Sequence, residues 1–195
     1  MIVYSKVSTA PTELPVSLTE AKAHLRVDGT GDDAYITALM KAAVEMCERY
    51  TNLSFCTQTR QVKLDYFPCQ SYIELPYGPV TAVTGFAYLD SDGVSQALVA
   101  NTNYILDNHN DVARVQYVDS WPTNDDRIST VTITYTAGYG AAAAVPFTIK
   151  QAILMQIANL YENRQDEADG VVTYLAFNSM MLLDSFKVYY NANVH

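Results

Sequence analysis

The sequence predicts an α+β protein: N- and C-terminal helices form a small α-helical bundle, and an antiparallel β-rich module is inserted between helices 2 and 3. Apolar residues recur every three or four positions near both ends, whereas the middle alternates apolar and polar residues. The 195 residues, 49% of them hydrophobic, suffice for a sizeable core. We expect an N-terminal helical part (1–56), an inserted β-module (57–140) and a C-terminal helical part (141–195).

The first helix carries a start signal. Ser17 followed three residues later by Glu20 fits a capping box, in which each side chain satisfies a backbone donor of the other residue. The glycines and aspartates of "DGTGDD" then break this short helix. Asp32 or Asp33 is expected to cap the helix that follows.

Two longer helices carry continuous apolar stripes. In the helix from Asp33 to Tyr50 the stripe consists of Ile36, Leu39, Met40, Ala43, Val44 and Cys47. In the helix that begins at Pro146 and reaches about Asn163 it consists of Ile149, Ala152, Ile153, Ile157, Leu160 and Tyr161. Neither helix would be stable alone at this length, so we predict that the two pack against each other.

The β-module shows a period of two. The segment "RQVKLDYF" places Val62, Leu64 and Tyr66 on one face, as expected for a half-buried strand. Further candidate strands are "YIEL", "VTGFAYLD", "VSQALV", "YILD", "ARVQYV" and "TVTITYTA". Turn segments such as "DSDG" and "DNHND" separate them. Many short strands joined by tight turns are typical of an antiparallel sandwich or a small barrel.

Composition excludes several classes of function. The net charge is −9 with only 12 Lys and Arg, and no basic cluster exists to neutralise phosphates, although an acidic wall could let a duplex pass without binding it. The three cysteines lack redox or zinc spacing, which favours folding in a reducing cytoplasm. The N-terminus does not resemble a signal peptide, and no apolar run is long enough to span a bilayer.

No motif in the chain predicts chemistry. "DSDG" resembles the opening of a calcium loop, but Asn101 stands where the twelfth loop position requires Glu, so a hairpin turn is the better interpretation. Asp107, His109 and Asp111 are interpreted as turn residues rather than metal ligands. Nucleophile, Walker and dinucleotide motifs are missing. We therefore expect no enzyme, and no catalytic, cofactor-binding or metal-binding residues.

The C-terminal region combines a charged connection with an apolar segment. "RQDEADGVV" predicts a hinge, because it contains charge and glycine and few groups that could anchor it. "FNSMMLLDSFKVYY" predicts a last helix with Met180, Leu183, Lys187 and Tyr190 on one side.

Several blocks of the sequence resemble a known family. "LPVSLTEAKAHLRVD", "DDAYITALMKAAVEMCERYT", "SWP", "VTITYTAGYG" and "VPFTIKQAILMQIANLYENR" are similar, in this order, to the head-tail connector (adaptor, head completion) proteins of tailed bacteriophages and prophages. The resemblance implies an α-helical bundle with a β-rich insertion. It also implies a virion protein of the neck that assembles in the bacterial cytoplasm as a ring, usually of twelve copies, between the portal and the next neck or tail protein, with DNA passing through the centre.

The ring and the portal suggest two sets of site residues. Because a ring needs two different complementary patches on each copy, Glu162 and Arg164 are expected to face the neighbouring subunit. The apolar C-terminal side chains are expected to bind the portal; they are Met180, Met181, Leu182, Leu183, Phe186, Tyr189 and Tyr190. Here the chain departs from the family, which often has a Leu-Pro turn before its last helix, whereas this chain reads "TYLAFNSMM".

Two alternatives remain open at this stage. The chain could be a tail-completion or other phage neck protein with similar architecture. It could instead be a glycan-binding or hydrolytic domain built on the β-module, since the chain has 15 tyrosines.

Overall fold

The structure, a computed structural model, describes residues 4–110, 112–125, 127–163 and 179–190. Its helices are α1 (Leu18–Leu25), α2 (Asp33–Thr51) and α3 (Phe147–Glu162), with a 3-10 turn at Ala142–Ala144 and helical residues at 179–184. Its strands are β1 (Tyr4–Thr9), β2 (Gln58–Leu64), β3 (Tyr72–Leu75), β4 (Val80–Leu89), β5 (Ser95–Ala97), β6 (Tyr104–Asp107), β7 (Ala113–Tyr117) and β8 (Val131–Ala137). The predicted α+β class, with a β-rich module between the second and third helices, is confirmed.

The predicted capping box starts α1. Ser17 Oγ accepts a hydrogen bond from the Glu20 backbone N–H at 3.2 Å, and Glu20 Oε2 accepts one from the Ser17 backbone N–H at 2.7 Å. Hydrogen bonds from the Ser17 side chain and backbone lower the pKa of Glu20, because they favour the carboxylate. The helix ends at Arg26, whose φ of 57° is left-handed.

The acidic residues at the start of α2 do not cap it as predicted. Asp32 occupies the N-cap position, but its side chain makes no capping bond. Its carboxylate accepts the Tyr161 hydroxyl at 2.6 Å instead, and Asp33 pairs with Lys22 Nζ at 2.6 Å. These carboxylates therefore connect α2 to α3 and α1, a use that local sequence does not reveal.

The predicted pairing of α2 with α3 is confirmed. Tyr161, near the end of α3, donates to Asp32 before α2, whereas Gln156, earlier in α3, points at Met46 late in α2. The two helices therefore run in opposite directions. Their buried apolar residues are Ile36, Met40, Ala43, Val44 and Cys47 of α2 and Ile149, Ala152, Ile153, Leu154 and Ile157 of α3. Leu39, predicted as part of the stripe, is only half-buried.

The strands form two antiparallel sheets. One has the order β1-β2-β8-β4-β5 and the other the order β3-β7-β6. In the larger sheet β8 is central, and Ile133 lies opposite Val62 of β2 on one side and Phe86 of β4 on the other. Buried residues from both sheets form one hydrophobic cluster, which agrees with the sandwich of the two expected arrangements. Tyr66, predicted on the buried face of β2, lies beyond its end and is exposed.

The sequence analysis missed strand β1. It pairs antiparallel with β2, with Ser5 opposite Val62 and Lys6 opposite Gln61. Residues 6–9 are exposed, so the strand has no alternating apolar pattern that would have predicted it. Backbone hydrogen bonds to the existing edge of the sheet hold this strand, and its side-chain pattern does not predict them.

The predicted turns of the β-module are confirmed where the structure describes them. Asp90 Oδ1 accepts hydrogen bonds from the backbone N–H groups of Asp92 and Val94, and Gly93 adopts a φ of 79°. Asp107 Oδ1 accepts the His109 backbone N–H. These carboxylates hold their own loops, as turn residues do. Asp111 and Asp126 lie outside the described residues.

The described chain divides into two compact units. The β-unit contains the residues up to Thr12, Thr57–Gly138 and those from Val188, whereas the helical unit contains Glu13–Cys56 and the described residues of Tyr139–Lys187. Strand β1 belongs to the β-unit, a placement that the sequence did not predict.

The small residues after β8 carry the chain from one unit into the other. Gly138 has a φ of 127°, and its backbone N–H binds Pro79 O of the β-unit. The next N–H, that of Tyr139, binds Phe55 O of the helical unit. A Cβ on Gly140 would lie 3.3 Å from Ala144 Cβ, at a φ of 128° that disfavours any side chain. Glycine is therefore required at position 140, after the chain has passed from the β-unit into the helical unit.

The last helix is shorter than predicted. Residues 179–184 are helical, and the backbone N–H groups of Phe186 and Lys187 then bind Leu183 O and Asp184 O in tight turns. Lys187 and Tyr190, predicted on one helical face with Met180 and Leu183, lie beyond the helix. The predicted hinge at residues 164–172 lies outside the described residues.

The antiparallel pair of α2 and α3 predicts the effect of truncating its core. Ile153→Ala should lower the free energy of unfolding by about 2–5 kcal/mol, because it leaves a cavity between the helices. The matched control is Ile128→Ala: Ile128 is 82% exposed, and its truncation should change stability by less than about 0.5 kcal/mol. Urea unfolding measures both variants. Equal stabilities would contradict the packing.

Candidate assembly surface of the helical unit

The C-terminal residues 179–187 dock on α2 and α3. Ser179 and Leu183 are buried, and Ser179 Oγ donates to Gln156 Oε1 at 3.2 Å. Gln156, itself buried, also points its Nε2 at Met46 Sδ at 3.9 Å. A buried amide needs such partners, because leaving it unsatisfied costs about 1–3 kcal/mol. Gln156 thus binds α3 both to α2 and to the C-terminal segment.

Tyr50 holds the end of this segment. Its hydroxyl donates to Asp184 Oδ1 at 2.5 Å, and Lys187 Nζ lies 4.4 Å from the centre of its ring. The same ring therefore binds an anion through its hydroxyl and a cation through its face.

An open apolar groove of about 350 Å³ lies where α2, α3 and the C-terminal segment meet. We call it the methionine groove; it is lined by Met46, Cys47, Arg49, Tyr50, Gln156, Ser179, Met180 and Leu183. The Arg49 guanidinium also pairs with Glu45 on α2. Burial, with a smaller contribution from Glu48, raises the pKa of the Cys47 thiol to about 12, so the thiol stays neutral and unreactive at physiological pH. Methionine side chains adapt to the shape of a partner. The groove therefore suits an apolar protein side chain better than a charged ligand.

The predicted portal-binding residues differ in their exposure. Leu183 is buried in the helical unit, and Tyr190 is half-buried in the β-unit, where burial and Tyr77 raise its pKa. Met180 and Met181 are exposed at 39% and 59%, and Tyr189 at 77%; Met180 lines the groove. Leu182 and Phe186 are intermediate.

The predicted subunit-contact residues lie at the end of α3. Glu162 is exposed, and Arg164 lies outside the described residues. The sequence analysis missed two exposed apolar residues, Met46 on α2 and Phe147 at the first position of α3. A side chain at the edge of an apolar stripe gives no local sign that it is left uncovered.

The β-unit contains an aromatic cluster that bears on the glycan-binding alternative. Trp121 stacks on Phe67 with ring centroids 4.9 Å apart, and its indole N–H donates to Gln70 O at 2.6 Å. Tyr117 packs on the same indole at 5.1 Å, and Phe86 at 6.2 Å. One face and the polar edge of Trp121 are thus used within the unit, so the cluster mainly extends its own core.

In the described ranges, no three His, Cys, Asp or Glu side chains gather as a metal ion would require. None of the helices in the part of the chain that the structure describes combines the length and the apolar character needed to cross a membrane.

An exposed apolar groove lined by methionines is typical of surfaces that bind another protein. Residues 16–173 match the family model described as "Head completion protein". Because this match spans most of the chain, the chain belongs to the head completion protein family, and the resemblance to head-tail connector proteins is confirmed. Membership supports a structural role at a phage-like head-tail junction. No curated protein sequence matches the chain significantly.

Solved structures share the fold along the whole chain. One, described as the neck of an empty GTA particle computed with C6 symmetry, has a TM-score of 0.81 at 24% identity and 100% coverage of both chains. Another, from the virion of a native gene transfer agent (GTA) particle, has a TM-score of 0.80 at 24% identity, covering 98% of this chain and 99% of its own. A third, the neck of a native GTA particle computed with C12 symmetry, has a TM-score of 0.77 at 24% identity and 100% coverage of both.

The contacts of Tyr50 predict how firmly the C-terminal segment is held. Tyr50→Phe removes the hydrogen bond to Asp184 and keeps the ring under Lys187, whereas Tyr50→Ala removes both. In Tyr50→Phe the rate of amide hydrogen exchange at Phe186 and Lys187 should rise roughly fivefold, because a hydrogen bond worth about 1 kcal/mol is lost. In Tyr50→Ala the rate should rise further. Tyr66→Phe, an exposed tyrosine of the β-unit, is the control. Unchanged exchange in Tyr50→Ala would contradict the docking.

Proposed function

We propose that this protein is a head-tail connector: a structural adaptor that forms a ring, of twelve copies in the virion, below the portal of a phage-like particle. The family match over residues 16–173 carries the proposal. The likeness to neck proteins of gene transfer agent particles, one computed with C12 symmetry, supports the neck as its location. The proposal also includes assembly in the bacterial cytoplasm and contact with the next neck or tail protein. It includes no catalytic role.

A ring of identical subunits requires two different surfaces on each copy, because each subunit meets its two neighbours through opposite sides. Glu162 is exposed at the end of α3, which supports its proposed contact with the neighbouring subunit. Arg164 is proposed to act beside it. Weak contacts suffice, since closure of the ring multiplies them.

The portal contact is proposed for the exposed part of the C-terminal segment. Met181 and Tyr189 offer large apolar surfaces to solvent, while Leu183 docks the same segment on its own bundle. The buried contacts of Ser179 and Leu183 thus position the exposed residues for a partner. Truncating the whole segment would also uncover the bundle, so point variants give a clearer test than truncation.

The portal contact predicts a specific assembly defect. The double variant Met181→Asp with Tyr189→Asp should keep the wild-type melting temperature, because both side chains are exposed, and should fail to join portal-containing heads. The matched control, Val99→Asp with Val118→Asp, places the same charges at exposed β-unit positions and should join normally.

Quantitative mass spectrometry of purified heads measures the bound chain in each case. Normal joining of the double variant would place the portal contact elsewhere on the chain. Absence of the wild-type chain from the neck of complete particles would overturn the proposed function itself.

Acidic turns of the β-unit are proposed to help DNA pass without binding. Asp90 has a lowered pKa, chiefly because Gln96 and the Val94 backbone donate to its carboxylate, so it stays ionised at neutral pH. Asp92 lies in the same turn, Asp107 is the last residue of β6, and Asp125 lies in the connection before β8. A ring multiplies each of these charges by its copy number.

Duplex DNA should therefore not be retained by the purified chain, even at about 10 mM salt, where electrostatic attraction reaches furthest. A gel-shift titration of the chain against a short duplex, repeated at about 150 mM salt, measures this. Retention that weakens as salt rises would show a cationic binding surface and would contradict passage without binding.

A further inference from the structure

We propose that Phe147 of one subunit inserts into the methionine groove of the next subunit around the ring. This inference rests on the proposed function, since it assumes that copies of the chain assemble in a ring. It assigns the subunit contact to two features of the helical unit that the sequence analysis did not single out.

Phe147 is an unusual residue for its position. It is the first residue of α3, directly after Pro146, and it is 73% exposed. The first turn of a helix favours acidic or small polar residues, and α3 has no acidic residue there. The neighbouring Ile149 turns fully into the core, so the exposure of Phe147 does not come from a frayed helix. A rigid element therefore presents a large aromatic side chain to solvent.

The methionine groove has the size and chemistry to receive it. An engineered apolar cavity of about 150 Å³ holds benzene, and this groove has a volume of about 350 Å³. Met46 and Met180 lie at its surface and are themselves exposed. Methionine sulfur makes favourable contacts with aromatic rings, and its flexible side chain closes around them. Covering these methionines and Phe147 together would remove apolar surface from water on both copies.

The two features lie on opposite sides of the same helix. Phe147 and Gln156 are nine positions apart on α3, and a helix with 3.6 residues per turn rotates roughly 180° over this distance, modulo full turns. A projection on one side and a groove on the other give a head-to-tail contact, which forms a ring when the rotation from one subunit to the next closes. A contact between two like surfaces would instead stop at a dimer. Glu162, proposed above at the subunit contact, lies within about 60° of the Phe147 side.

Disulfide trapping tests this contact directly. In a background with Cys69→Ser, which removes the exposed native thiol, cysteines are placed beside the contact so that Phe147 and Met46 remain. The double variant is Lys150→Cys, about one turn from Phe147 on α3, with Arg49→Cys in the lining of the groove. It is produced with the other head proteins, and purified particles are oxidised. Non-reducing electrophoresis should show a ladder that extends beyond dimers and disappears with dithiothreitol. Lys150→Cys thiols that met each other could give dimers only, so the ladder indicates a head-to-tail contact. The control pair is Ile128→Cys with Arg49→Cys, which should remain monomeric.

Incorporation and cross-linking are read separately. If the Cys69→Ser chain is absent from the particles, the proposed ring function falls and this inference falls with it. If the double variant is incorporated but gives only monomers or dimers, the proposed function stands and the contact is overturned. That second result is also expected if residues 164–178 of the same chain occupy the groove.

A loss-of-contact variant gives a second readout. Phe147→Ser and its matched control Ile128→Ser both remove an exposed apolar side chain and should keep the wild-type melting temperature. Phe147→Ser should lower incorporation into particles at least tenfold, whereas Ile128→Ser should not. Normal incorporation of Phe147→Ser would overturn the proposal even if cross-links form.

Discussion

The helical unit depends on the burial of α2 against α3. Each helix is short enough to be marginal in water on its own, and each becomes stable by covering the apolar stripe of the other. The remaining parts of the unit attach to this pair: Lys22 joins α1 to Asp33, Tyr161 joins the end of α3 to Asp32, and Ser179 joins the C-terminal segment to Gln156. Loss of the helix pair would remove the attachment site of each of these contacts.

Gln156 shows how a polar group inside an apolar interface fixes the position of a docked segment. Apolar side chains alone would let the C-terminal segment slide along the bundle, since hydrophobic contact has no direction. The hydrogen bond between Gln156 and Ser179 fixes one position, and Tyr50 fixes the next through Asp184 and Lys187. The segment covers part of the bundle and leaves the methionine groove beside it. The surfaces proposed for the portal and for the neighbouring subunit therefore depend on the same few polar contacts.

The β-unit contributes differently. Its core is closed by its own two sheets and by the stacking of Trp121 on Phe67, and its aspartates stabilise their own turns. The unit thus uses its aromatic and acidic side chains in contacts of its own. In the proposed ring, the acidic residues of the β-unit would be repeated around the assembly, as the proposed passage of DNA without binding requires.

Local patterns in the sequence determined much of the fold. The pair Ser17 and Glu20 started α1, the stripes through Met40 and Ile153 gave α2 and α3, and alternation around Ile133 gave the strands, because helix caps and residue periods are set by nearby backbone geometry. Recognisable blocks of residues also gave the family.

Tertiary structure alone decided the rest. Strand β1 forms on mostly polar residues because an existing edge supplies its hydrogen bonds, and Asp32 meets a tyrosine 129 positions away instead of capping α2. The last helix stops at residue 184, where the backbone N–H groups of Phe186 and Lys187 bond in tight turns. The same holds for the candidate surface. Phe147 and Met46 stay exposed because no other part of the described chain covers them. Burial by residues that are distant in the sequence produces no periodic pattern, so the sequence does not show which apolar residues remain uncovered.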